Sequence, residues 1–171
     1  MSERLPLVVD VVRYVETGRR LTGELPLSGM TRLLPLLHNA SGAVWLDLQF
    51  GKDDLTVANV RGEIRAQLRL QCQRCLQPFD YPVQVKCALG AVTSEAEADK
   101  LPGDYEPLLV TSQNMPLAAI VEDELLLALP VAPMHKEGEC PAPVQSADAQ
   151  TSKPSPFAVL GQLKAARIKA K

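Results

Sequence analysis

EIRAQLRLQC at residues 63–72 and YPVQVKCAL at residues 81–89 alternate apolar and polar side chains almost without exception. Successive side chains of a strand point to opposite faces, so this period of two predicts two strands that are each buried on one side. The two runs are close enough in sequence to form an antiparallel hairpin with residues 72–79 at its tip. This hairpin is the centre of the predicted fold.

Helical spacing appears on either side of the hairpin. The stretch 116–129 carries an apolar stripe and predicts a helix that Asn114 caps and Pro130 ends. Ser28 begins a second stretch of helical spacing, in which Pro35 must shorten, kink or delay the helix. Short runs predict further strands at 5–9, 21–27 and 45–50, and the polar residues 94–107 predict a loop.

Together these elements predict an α+β fold with a predominantly antiparallel β-sheet, a packed central helix and a flexible C-terminal tail. We expect residues 1–140 to form this single domain. Residues 141–156 are rich in Pro, Ala, Ser and Gln without a hydrophobic period, which predicts a disordered linker. Residues 157–171 have apolar residues three to four apart and predict a short basic helix.

Charge is distributed unevenly along the chain. The formal net charge of the 171 residues is −2, which argues against a protein that coats nucleic acid by bulk attraction. Only 4% of residues are aromatic, so stacking platforms for single strands are scarce. Residues 93–124 carry eight acids and one base, whereas residues 157–171 carry four bases and no acid. The sequence thus has an acidic middle and a basic end.

The expected compartment is the cytoplasm. The longest apolar run, residues 125–134, is too short to span a bilayer and contains two prolines. The first residues lack the layout of a signal peptide. Thiols stay reduced in the cytoplasm, so the four cysteines are not expected to form disulfides.

Three of the cysteines and one histidine have the composition of a zinc site. Cys72 and Cys75 are a Cys-x2-Cys knuckle at a strand end, and His135 and Cys140 lie far downstream. Two thiolates on one turn, one imidazole and one further thiolate would close a tetrahedral site, so the predicted cofactor is a structural zinc ion. The alternative, that the thiols carry no ligand and Cys72 only ends a buried strand face, stays open. Cys87 falls on the apolar side of its strand and is expected in the core.

The sequence gives little support to an enzyme, and we assign no catalytic residue. A thioredoxin-like reading of the knuckle lacks the following helix that would activate a thiol. We expect Glu122 and Asp123 to be solvated on the polar side of helix 116–129, and Glu124 to accept a hydrogen bond or to pair with an Arg. No nucleophilic triad or glycine-rich phosphate loop is evident. No small-molecule substrate is expected.

Basic residues on the hairpin and in the tail are the candidate RNA-binding set. They are Arg65, Arg69, Arg74, Lys86, Lys164, Arg167, Lys169 and Lys171. For any one of these residues, the alternative is that it keeps an exposed face soluble.

Several motifs resemble a known family. LQCQRC at 70–75 with Pro78-Phe79 resembles the knuckle of the bacterial YceD family, also called large ribosomal RNA subunit accumulation proteins. Residues 101–107 and 121–131 resemble its acidic connection and central helix, and residues 153–164 its C-terminal signature. The first 60 residues are similar to the family only in strand pattern.

This resemblance implies a non-enzymatic role in synthesis, processing or stability of large-subunit (23S) ribosomal RNA. The implied partner is that RNA or its precursor particle, contacted directly or through biogenesis proteins. Two other classes of function remain. One is a metal- or thiol-dependent enzyme, and the other is a protein–protein adaptor that uses the acidic residues 93–124 and the basic tail.

Overall fold

The computed structural model describes residues 5–141, which fold as a five-stranded sheet with helices packed against it. The strands, in chain order, are β1 (Val8–Val9), β2 (Arg20–Pro26), β3 (Ala43–Lys52), β4 (Ala58–Gln71), β5 (Pro78–Val92), β6 (Glu106–Leu109) and β7 (Met115–Pro116). The helices are α1 (Val11–Glu16), α2 (Glu95–Ala98) and α3 (Leu117–Ala128).

The sheet has the order β2-β3-β4-β5-β6, and only the β5–β6 pair is parallel. A separate pair joins β1 to β7. The α+β prediction with a mainly antiparallel sheet and a packed helix is therefore confirmed. The connections from β3 to β4 and from β4 to β5 are short, and short connections favour antiparallel pairing of neighbouring strands.

The central hairpin is β4 with β5, in register from Asn59 opposite Gly90 to Gln71 opposite Pro78. Its inward residues Ile64 and Leu68 are fully buried, as the period of two requires. The strands extend beyond the predicted runs because unbroken pairing continues through less regular sequence. Gly62 lies where β3 passes so closely that a Cβ atom would sit 2.0 Å from the Asp47 carbonyl oxygen.

Helix α3 packs against β5, and α1 packs against β3 and β4. The helix ends before Pro130 as predicted, but Asn114 does not cap it. Its N-cap residue is Pro116, without a side-chain cap, because β7 runs directly into the helix. The N–H of Leu117 donates instead to the Leu7 carbonyl, at 3.0 Å.

Two other local predictions were wrong. The stretch beginning at Ser28 forms two 3-10 turns, Leu27–Gly29 and Leu34–Leu36, rather than an α-helix. Pro35 lacks the N–H that a continuing helix needs, and the apolar residues Met30 and Leu33 insert into the core from these turns. The supposed loop 94–107 contains α2 and the beginning of β6.

The predicted linker 141–156, from residue 142 onward, and the predicted basic helix 157–171 lie outside the described residues. The same holds for the basic residues Lys164, Arg167, Lys169 and Lys171. Between residues 5 and 141, the helices are all too short or too polar to cross a membrane.

Candidate metal centre

The tip of the hairpin is a tight turn built around Cys72, which follows the last residue of β4 and is fully buried. Its N–H donates to the Gln77 carbonyl at 3.0 Å, and its carbonyl accepts from the Leu76 N–H at 2.9 Å. Leu76 has φ 60°, the left-handed conformation that closes the turn. This knuckle places the Cys72 and Cys75 sulfurs in the same cluster.

The segment after α3 brings the second pair of residues to this knuckle. The Gln73 N–H donates to the Pro133 carbonyl at 2.9 Å, which fixes the returning chain against the turn. Gly138, with φ +83°, then supports the turn between His135 and Cys140. A side chain would be strained at that φ, so glycine suits the position.

The four predicted ligands converge. Their candidate ligand atoms, three Sγ and one imidazole nitrogen, all lie within 4.8 Å of one another. The Cys72 and Cys140 sulfurs are 3.8 Å apart, and the His135 Nδ1 is 3.4 Å from the Cys75 sulfur and 3.7 Å from that of Cys140. A tetrahedron with Zn–S of about 2.3 Å and Zn–N of about 2.05 Å has S–S and S–N edges of about 3.8 and 3.6 Å. The three ligand–ligand distances given above are therefore close to the edges of a zinc tetrahedron.

The electrostatics of the cluster favour a thiolate at Cys72. Desolvation opposes its charge, but N–H groups of His135, Cys75 and Arg74 and the His135 side chain outweigh this and lower the pKa of Cys72 to about 5. For Cys75, desolvation prevails and raises the pKa. Adjacent thiols that resist joint ionisation in this way are a natural site for a cation.

Two side chains that the sequence did not assign to the cluster hold it in place. Arg74, predicted to bind RNA, turns instead toward the cluster, and its Nε donates to the Cys140 sulfur at 3.1 Å. Its terminal nitrogen also donates to the His135 and Lys136 carbonyls, both at 3.3 Å. Phe79 packs on the His135 ring with centroids 4.8 Å apart, which orients the imidazole.

Cys87 lies away from the cluster, as its position on the strand predicted. It is buried in the core, and desolvation raises the pKa of its thiol to about 11. A thiol with this pKa stays protonated and is a poor ligand or nucleophile at neutral pH.

The remaining candidate RNA-binding residues of the hairpin lie on its outward face. Arg65 pairs with Glu63 and lies over the Trp45 ring at 5.0 Å. Arg69 pairs with Asp80 at 2.8 Å, and Lys86 is exposed opposite Glu63. The face is thus basic but interspersed with acids, and its residues are not gathered into one pocket.

Two carboxylates of α3 are buried, contrary to the expectation of a solvated Glu122. That residue is 4% exposed and accepts from the N–H groups of Arg32 and Leu33, at 2.6 and 2.9 Å, and from the Arg32 Nε at 3.1 Å. Glu124 is 7% exposed, and the expected partner is not found among the described residues. Helical spacing alone could not reveal the loop around Arg32 that covers Glu122.

The chain is similar to a known protein family over most of its length. The model of the family described as large ribosomal RNA subunit accumulation protein YceD matches residues 60–164. A Haemophilus influenzae protein of that name is 30% identical over 168 residues, which cover 94% of this chain and 97% of the relative. No solved structure matches. On this evidence, the chain belongs to the YceD family.

Proposed function

We propose that this protein is a non-enzymatic ribosome-biogenesis factor that supports the synthesis, processing or stability of large-subunit (23S) ribosomal RNA in the cytoplasm. The observation that carries the proposal is the nearly end-to-end similarity to a relative named for large ribosomal RNA subunit accumulation. A ribosome-related role follows from that similarity. The finer assignment to 23S RNA, and to binding rather than catalysis, is our proposal.

We assign a structural zinc ion to Cys72, Cys75, His135 and Cys140. Four protein ligands complete a tetrahedron and leave no position for water or substrate, which is the pattern of a structural site. Such an ion would fasten the hairpin tip to the segment after α3. Those two segments are more than 50 residues apart in sequence.

The exposed sheet face is our candidate for RNA contact. Arg65, Arg69 and Lys86 can approach phosphates from strands that a rigid sheet holds in fixed positions. We leave Arg74 out of this contact because its guanidinium is engaged at the cluster. Phosphate contacts release counterions, so association should weaken steeply as salt rises.

The test is depletion of the protein, followed by quantification of large- and small-subunit ribosomal RNA and complementation with variants. Charge reversal of Arg65, Arg69 and Lys86 should lower large-subunit RNA and the salt-sensitive association with precursor particles. The three reversals are also made singly, and the matched control for each single reversal is Arg13→Glu, which makes the same change of charge on exposed α1. Normal RNA levels with the triple variant would exclude the basic face, and unchanged RNA after depletion would exclude the function itself.

The same complementation experiment distinguishes the binding role from the alternative of a metal- or thiol-dependent enzyme. If Cys75→Ser abolished activity while the chain kept its fold, its metal and its particle association, a thiol-dependent reaction would replace the binding role. A structural site predicts instead that activity and metal content fall together.

A further inference from the structure

A groove of about 410 Å³ runs between α3 and the edge strand β6. Ile120, Asp123, Glu124 and Leu127 of α3 are spaced three to four residues apart, so they share one side of the helix. Glu106, Pro107 and Leu108 of β6 form the opposite wall, and Leu89 and Leu126 complete the lining. The groove therefore combines an apolar surface with three carboxylates.

Glu124 is the residue that gives this groove a binding character. Glu124 lines the groove and the residue is only 7% exposed, yet it makes no hydrogen bond or ion pair with any residue that the structure describes. Among the described residues no fully buried side-chain oxygen lacks a partner, so the Glu124 oxygens reach solvent in the groove and are available to a ligand. Desolvation, followed by the charges of Glu106 and Asp123, raises its pKa.

No basic side chain among the described residues lines the groove to offset these charges. Asp123 is bound at one oxygen by Arg32, at 2.6 Å, but Arg32 is not part of the lining. Glu106 is exposed at the rim. The groove would therefore repel phosphate groups, which makes RNA an unsuitable occupant, and it would attract a cation.

The apolar surface of the groove favours a cation that carries an apolar part over a bare metal ion. Leu127 is 75% exposed at the rim, and the apolar lining would remain wet beside a bare metal ion. A lysine or arginine side chain satisfies both requirements, since its alkyl stem covers apolar surface while its head meets a carboxylate.

We propose that this groove binds a basic amphipathic segment of a partner protein, with a Lys or Arg of that segment paired to Glu124. The apolar residues of the segment pack on Leu108, Ile120 and Leu127. Glu106 and Asp123, on the two walls of the groove, attract its positive charge. The site lies on the helix side of the sheet and does not depend on the RNA contact proposed above, so the two can fail separately.

The test uses the full chain and a fluorescent 15-residue helical peptide of leucine and lysine, with a leucine–glutamate peptide as control. The lysine peptide should bind, more weakly at high salt, and the glutamate peptide should not. Glu124→Gln should weaken binding at least about fivefold, while Glu16→Gln, which neutralises an exposed acid on α1, should leave it unchanged.

Carbodiimide crosslinking then locates the bound peptide. The peptide lysines should couple to Glu106, Asp123 or Glu124, and mass spectrometry identifies the modified residue. Crosslinks only to other acids, or equal affinity of the wild-type and Glu124→Gln chains, would overturn the proposal. Absence of binding to the full chain would overturn it too. Circular dichroism confirms that the variant remains folded, so weaker binding cannot be attributed to unfolding.

Discussion

The hairpin tip and the α3–β6 groove both gather polar groups beside apolar surface, but they differ in how these groups are satisfied. At the tip, the sulfurs accept hydrogen bonds from the His135 N–H and the Arg74 guanidinium, and the four ligand atoms lie within 4.8 Å of one another. In the groove, Glu124 has no protein partner among the described residues. Polar groups that all have partners within the protein indicate a structural role, whereas a polar group without a protein partner indicates a place for a ligand.

Glu122 and Glu124 show the same difference within one helix. Both are buried in α3, two residues apart, yet Glu122 accepts from two backbone N–H groups and the Arg32 guanidinium. The carboxylate of Glu122 therefore closes the contact between α3 and the turns around Leu33. Because the residue type and helix are shared, mutations at these two positions compare a closed with an open site directly.

The largest effect is expected at the tip. Cys72→Ser should reduce bound zinc from about one per chain to none and destabilise the chain by about 3 kcal/mol or more, because metal binding contributes folding free energy. Elemental analysis and thermal unfolding under reducing conditions measure the two effects.

The matched control is Cys87→Ser, which replaces a buried thiol that is not part of the cluster. It should cost some stability through burial of a hydroxyl but leave the zinc content unchanged. Wild-type protein that contains no metal when purified without a tag would contradict the zinc assignment.

The next largest effect is expected at Glu122. Glu122→Gln removes the charge that accepts from three donors and should destabilise the chain by about 2 kcal/mol. Asp123→Asn is the control, since Asp123 also pairs with Arg32 but is exposed. It should cost no more than about 0.5 kcal/mol. Equal losses in urea unfolding would mean that Arg32, rather than the closed backbone contact, determines the stability.

The sequence predicted the architecture wherever a period was clear. The alternation along residues 63–72 and 81–89 places β4 and β5 correctly, because every inward residue meets the same core. Residues 28–37 also have helical spacing, but Pro35 interrupts a continuous helix. Two 3-10 turns form instead, and they bury Met30 and Leu33. A local pattern cannot decide between two backbones that both bury the same side chains.

Ligand chemistry identified the cluster, but its supporting contacts were beyond the sequence. Cysteine and histidine are distinctive enough to be paired across 60 residues, and the structure brings the four together. From the sequence alone, Arg74 was equally consistent with phosphate binding. Only the fold shows that the segment after α3 lies beside it and accepts its hydrogen bonds. Glu122 was misjudged for the same reason, since the backbone N–H groups that cover it come from an element distant in sequence.

Glu124→Gln should have the opposite sign from Glu122→Gln and raise the stability of the unbound chain. Its raised pKa in the folded state means that its charged form opposes folding. The stability it contributes is present below its unfolded pKa and is lost as pH rises through the folded pKa. The advantage of the variant should therefore appear as pH rises from acid to neutral, as urea unfolding across that range would show. A destabilised variant at neutral pH would mean that Glu124 has a structural partner.

The smallest effect on stability is expected on the exposed sheet face, where water can hydrate the charged groups. Arg69 and Asp80 form a pair between neighbouring strands, and both side chains are substantially exposed. Exposed pairs contribute little because solvent screens them and both side chains lose conformational freedom. Arg69→Gln should therefore change the free energy of unfolding by no more than about 0.5 kcal/mol while lowering the salt-sensitive association with precursor particles.

A larger loss of stability in urea unfolding would show that this face is part of the structural framework. An unchanged association would instead remove Arg69 from the proposed RNA contact, because a residue retained only for solubility has no effect on either measurement.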